Sequence, residues 1–102
     1  MARDFAPMVY IMASNRNGTL YIGVISNLPQ RVAQHREAAT PGFTAQYGVK
    51  TLVHCEPHAT MEHAIIREKQ LKKWNRAWKL RLIEQHNPEW RDLALDFAFE
   101  PL

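Results

Sequence analysis

The sequence predicts an α/β domain in which a small, three-stranded, mainly antiparallel sheet is flanked by helices, one domain over residues 1–102 with its core over about 8–93. Three observations predict it. Residues 8–14 and 19–25 are β-branched and aromatic runs on either side of Asn15, Arg16, Asn17 and Gly18, and the Asn-Gly pair tolerates positive φ. A third such run, 49–55, stops before Pro57. Two other segments, about 28–37 and 60–85, carry helical rather than alternating periodicity. A chain of 102 residues holds one sheet-based core and not two.

The first two runs read as a hairpin. Tyr10 and Tyr21 then lie on adjacent antiparallel strands, as cross-strand neighbours or nearly so, with side chains converging on one face. Gly23, lacking a Cβ, leaves the sheet open to close approach by a backbone or a substrate. Ser26 or Asn27 caps the next helix, entered through Pro29, whose missing N–H has no partner to lose in a first turn. Arg31 and His35, four apart, share a face of that helix. Pro41-Gly42 marks 38–44 as a loop. Thr60 opens the second helical segment without the acidic third position of a full capping box. There Ala64, Leu71, Trp74, Trp78 and Leu82 fall on one side. Lys69, Lys72, Lys73, Arg76 and Lys79 fall on another, with Glu68 at the seam. Ile65, Leu80 and Ile83 land near the basic side, which predicts a bend near Asn75 rather than one straight helix. The tail from Asp92, with Leu95, Phe97 and Phe99, is apolar enough to dock on this chain or on a second copy.

An apolar fraction of 46% and a charged fraction of 23% are those of a folded globular protein. Cys55, the single cysteine, excludes an intramolecular disulfide. With no apolar run of membrane-spanning length and no leader with a cleavage site, the expectation is a reduced, soluble, cytoplasmic protein with no membrane partner. Net charge is only +3, but the basic stripe has no alternating acids, which points to a polyanion. Phosphate contacts from such a stripe would position a backbone without reading its sequence. Trp74 and Trp78 read first as core residues and second as base-stacking platforms. His54, Cys55, His58 and His63 are four potential zinc ligands, yet strand neighbours such as His54 and Cys55 point to opposite faces and do not readily share an ion.

Four blocks carry a resemblance: Val9-Tyr10-Ile11, the run GTLYIGV from Gly18, the helical REKQ, KKW, RAWK and RLIE, and NPEWRDL from Asn87. Together with Arg31, His35 and Glu68 they resemble the GIY-YIG nuclease family, most closely its small single-domain members. The resemblance implies a metal-dependent DNA endonuclease using one Mg²⁺ or Mn²⁺ per active site, with Glu68 as metal ligand. It implies Tyr10 as proton acceptor, Tyr21 positioning water or phosphate, Arg31 on the phosphate, and His35 sharing or relaying the proton. Asn87 corresponds to a late supporting asparagine, Gly23 and Tyr47 to substrate-positioning residues, and the basic stripe to the nucleic-acid surface. DNA repair is one role of such enzymes. The substrate's form stays open among duplex, branched and single-stranded DNA, with RNA also open, and a homodimer suits a double-strand cut.

The chemistry sets a demand on these residues. Hydrolysis of a phosphodiester needs charge neutralised on the phosphoryl oxygens, a base for water, and stabilisation of the leaving oxygen. A free phenol is only on the order of 0.3% ionised near pH 7.5, so a tyrosine base needs a cationic neighbour. The chain departs from the family pattern at Val9, in place of glycine, at Ile25, in place of threonine, and at Val24, where several active relatives carry a lysine. The spacing from Glu68 to Asn87 also exceeds that of repair-type relatives. These departures keep an alternative: a non-catalytic or partner-dependent nucleic-acid-binding module on the same fold.

Overall fold

The computed structural model describes residues 6–37 and 48–97. Strands β1 (Met8–Ala13), β2 (Leu20–Ile25) and β3 (Thr51–Pro57) form one sheet in the order β2-β1-β3, with both pairings antiparallel. Helix α1 (Leu28–Glu37) follows β2, and α2 (Met61–Lys73) and α3 (Arg76–His86) follow β3. A short 3-10 helix, Leu93–Phe97, ends the described chain. The predicted sheet and both helical segments are therefore present.

The central strand explains its own sequence. β1 is covered on both faces, so Val9, Tyr10, Ile11, Met12 and Ala13 are all buried, and a continuous apolar run replaces polar alternation. Its odd positions pack with Ala64, Leu71, Leu82 and Ile83 of α2 and α3. Tyr10 and Met12 pack on the other face with Leu28 and Val32 of α1 and Ala94 of the 3-10 helix. At the hairpin, Asn17 takes φ 59°. Gly18 keeps an ordinary φ and is needed for space, because a Cβ there would collide with the side chains of Ser14 and Asn15.

The caps fix where the helices begin. Asn27 Oδ1 accepts from Gln30 N at 3.3 Å, so Asn27 rather than Ser26 caps α1. Thr60 Oγ1 accepts from His63 N at 3.1 Å and starts α2. The expected bend is a full break: Trp74 leaves the helix with ψ 149°, and Asn75 Oδ1 restarts it by accepting from Trp78 N at 2.9 Å.

β3 begins and ends two residues later than the sequence suggests. Pro57 is tolerated as the terminal residue of an edge strand. A register shift between Ile11 and Met12 leaves Val53 as an extra residue, because Ile11 pairs with His54 and Met12 with Leu52. The tail docks on this edge through Asp92 Oδ1, which accepts from Leu52 N at 3.3 Å and Ala94 N at 3.1 Å. Residues 38–47, which include the expected loop at 38–44 and Tyr47, and Phe99 lie outside the described residues. Among the described residues no helix is long and apolar enough to cross a membrane.

Candidate active site

Tyr10 pairs with Gly23 and Tyr21 with Met12, so the two tyrosines are diagonal neighbours on one face. Their ring centroids are 6.2 Å apart at an interplanar angle of 37°. Tyr10 is 1% exposed, whereas Tyr21 is half-buried. Gly23 serves this pair. A Cβ at position 23 would sit 2.8 Å from Tyr10 Cε1 and closer still to its Cζ and hydroxyl. The space that the sequence suggests for a substrate is thus filled by the Tyr10 ring.

Arg31 and Glu68 complete the cluster. Burial pushes the Tyr10 hydroxyl well above the usual phenol range. Tyr21 adds to the rise by charge and by hydrogen bonding, Glu68 adds by charge, and the Arg31 guanidinium opposes it. Three residues from three other elements, Tyr21 of β2, Arg31 of α1 and Glu68 of α2, therefore act on one hydroxyl. Tyr10 also faces little solvent, so its hydroxyl is the more enclosed of the two. Arg31 Nε is buried and has no hydrogen-bond partner among the described residues. A buried guanidinium N–H without an acceptor is costly, and an anion's oxygen would satisfy it. Glu68 lies on the sheet-facing side of α2 with its side chain 15% exposed, and Lys72 Nζ donates to its Oε1 at 3.2 Å.

The donor set favours one kind of metal. Among the described residues no group of three or more His, Cys, Asp or Glu side chains is arranged to hold an ion. A lone carboxylate does not suit zinc or calcium, which take most of their ligands from protein. It fits Mg²⁺, which keeps several waters and uses one or two carboxylates plus substrate phosphate. The same observation removes the zinc alternative for His54, Cys55, His58 and His63. His54 Nε2 and His58 Nε2 each lie 3.0 Å from an oxygen of Glu56, and Arg67 Nε donates to Glu56 at 2.7 Å. Burial raises the Glu56 pKa, but the bonds from His54, Arg67 and His58 outweigh it and bring it down to about 2. Alternation along His54, Glu56 and His58 signals this cluster in the sequence.

Other expected residues scatter. The Asn87 amide donates to Val53 O at 3.2 Å and Arg91 O at 2.9 Å, and its Oδ1 accepts from Arg91 N at 3.1 Å. It closes α3 against the outer edge of β3. Strands lie about 4.8 Å apart, so two strand spacings and more separate Asn87 from Tyr21. Its side chain holds the fold rather than the tyrosine site. Arg76 is also engaged, donating to Asn17 O at 2.6 Å and Gly18 O at 2.7 Å, and so fastens α3 to the hairpin. Lys69 and Lys73 are exposed, and Lys72 and Lys79 line an open groove with Leu20, Tyr21 and Ile22. His35 falls one turn after Arg31 on α1, and its side chain lies outside the described residues.

A family model for the GIY-YIG catalytic domain matches residues 6–81, which include Tyr10, Tyr21, Arg31 and Glu68. The chain belongs to the GIY-YIG family. Among curated relatives, this GIY-YIG domain is 36% identical over 89 residues to a UPF0213 protein of Syntrophus aciditrophicus, covering 79% of this chain and 92% of that one. It is 31% identical over 77 residues to a UPF0213 protein of Staphylococcus epidermidis, covering 76% and 93%. The solution NMR structure of a UPF0213 protein from Bacillus halodurans superposes with a TM-score of 0.54 at 22% identity, covering 86% of this chain and 93% of that one. That likeness bears on the fold.

Proposed function

We propose that this GIY-YIG protein is a metal-dependent endonuclease that hydrolyses phosphodiester bonds in DNA, directed by backbone and structure rather than by base sequence. The observation that carries the reading is the unsatisfied, buried Arg31 Nε beside Tyr10, Tyr21 and Glu68. A phosphate supplies the acceptor that this nitrogen lacks. Arg31 then holds charge that grows on the phosphoryl oxygens as the bond breaks. Glu68, once freed from Lys72, is the residue that would hold a divalent cation. When bound, Mg²⁺ or Mn²⁺ supplies Lewis-acid stabilisation of the phosphoryl and leaving oxygens.

Burial divides the work of the tyrosines. Tyr10, enclosed and protonated, acts as a fixed hydrogen-bonding partner that orients the Tyr21 hydroxyl. Half-exposed Tyr21 is the hydroxyl that meets the attacking water, positions it, and takes up its proton while passing its own toward solvent. Lys72 and Lys79 guide the backbone along the groove at Tyr21.

Two observations favour the non-cutting binding module as a second reading. Lys72 already occupies the Glu68 carboxylate, and Val24 packs against the core on the α2 side, where it contributes no charge. The readings separate on a panel of labelled single-stranded, duplex, flap and branched DNA in Mg²⁺, Mn²⁺ and EDTA. The nuclease yields product that disappears with EDTA and with Glu68→Gln. The module binds in a salt-sensitive way and yields none.

A further inference from the structure

Trp78 is 49% exposed on a helix whose core contacts are already made by Leu82 and Ile83. Its orientation is nevertheless braced. Trp74 meets it edge to face at 5.9 Å and 87°. The Arg67 guanidinium stands 5.1 Å from the Trp74 ring centroid, and Arg67 is itself bonded to Glu56. Ring by ring, the Glu56 cluster fixes an indole that the core does not need. Beside it lies a groove of about 230 Å³ lined by Trp74, Trp78, Arg81, Leu82 and Gln85.

We propose that this groove is a subsite for one unstacked nucleobase on a single-stranded segment of DNA that flanks the cleaved phosphate. The inference rests on the nucleic-acid reading above and deepens it by naming the form of the substrate. The indole face offers stacking to any base, which is how single strands are held without sequence preference. Arg81 and Gln85 add a cation for the backbone and an amide for a base edge. The nearby acid, Glu84, is engaged elsewhere, accepting from Trp90 Nε1 at 3.0 Å and facing Arg16 at 3.8 Å.

The neighbours continue the track. Lys79, adjacent to Trp78, lines the groove at Tyr21 together with Lys72. Consecutive residues of α3, Trp78 and Lys79, therefore line the two grooves. A duplex would not use this subsite, because its base faces are already stacked. A second copy of this chain suits it less, because the apolar part is one indole and a leucine edge. A stable interface covers about 800 Å² per partner, and pairing would bring Lys73, Lys79 and Arg81 against like charges.

Binding measured in EDTA separates this proposal from catalysis. Anisotropy titrations with a labelled oligothymidylate and a blunt duplex of equal length compare the intact protein with Trp78→Ala and Trp78→Phe. Trp78→Ala is expected to weaken single-strand binding by about 5- to 150-fold, with duplex affinity held within roughly twofold and Trp78→Phe largely restoring the loss. In the intact protein, the oligomer quenches tryptophan emission, and one abasic position placed along it reduces the quench. Equal loss on both DNAs, no loss on either, or a quench blind to the abasic position overturns the proposal. So does a Trp78→Ala variant that abolishes self-association in sedimentation while single-strand affinity stays intact. A protein that cuts in Mg²⁺ but binds without regard to Trp78 keeps the nuclease and loses the subsite. One that binds through Trp78 and cuts nothing does the reverse.

Discussion

Burial separates side chains that the sequence leaves alike. Tyr10 is enclosed and Tyr21 is half-buried, so the two differ in their access to solvent. Gly23 is what lets them meet. Gly23→Ala is expected to destabilise the protein by about 1–3 kcal/mol in urea unfolding, because the added methyl displaces the Tyr10 ring in a packed core. It is also expected to lower cleavage by more than the loss of folded protein explains. Glu56 gives a pH prediction. Its folded pKa of about 2 lies below the ordinary 4.5. Stability from this group is therefore complete above about pH 5 and is lost as pH falls toward 2. Glu56→Gln is expected to be less stable than the intact protein at neutral pH, with the gap closing across that acidic window in urea titrations.

At the level of elements, what the sequence revealed was local. Strands β1 and β2, the break at Asn75 and the Thr60 cap follow from period, turn residues and capping chemistry within a few positions. Asn87 and Arg76 were not legible, because their partners are carbonyls far away in the chain, Val53 in one case and Asn17 and Gly18 in the other. The extra residue at Val53, which moves the strand register, has no sequence mark of its own. The structural role of Asn87 is testable. Asn87→Ala is expected to cost about 1–3 kcal/mol by leaving buried backbone groups unpaired, while cleavage per folded molecule stays unchanged. The basic stripe separates in the same way. Lys79→Ala should reduce the slope of log affinity against log salt on duplex DNA by about 0.9, whereas Arg76→Ala should lower stability and leave the slope in place.

Across the whole molecule the two sheet edges have different duties. The outer edge of β3 is closed by Asn87 and by Asp92, whose carboxylate takes the Leu52 N–H. On the β2 side lies the groove shared by Tyr21, Lys72 and Lys79. The fold thus seals one edge with its own tail and leaves beside the other a cationic groove next to the tyrosines. The GIY-YIG match spans Tyr10, Tyr21, Arg31 and Glu68, and whether they cut is open to direct test. The direct measurement is cleavage of the single-stranded, duplex, flap and branched DNA panel by the intact protein and by Glu68→Gln, at matched folded concentration, in Mg²⁺ and in EDTA. Product is expected from the intact protein in Mg²⁺ alone and none from the variant, with DNA binding retained in both. Product that persists in Glu68→Gln or in EDTA would contradict it, as would salt-sensitive binding by the intact protein with no product from any DNA.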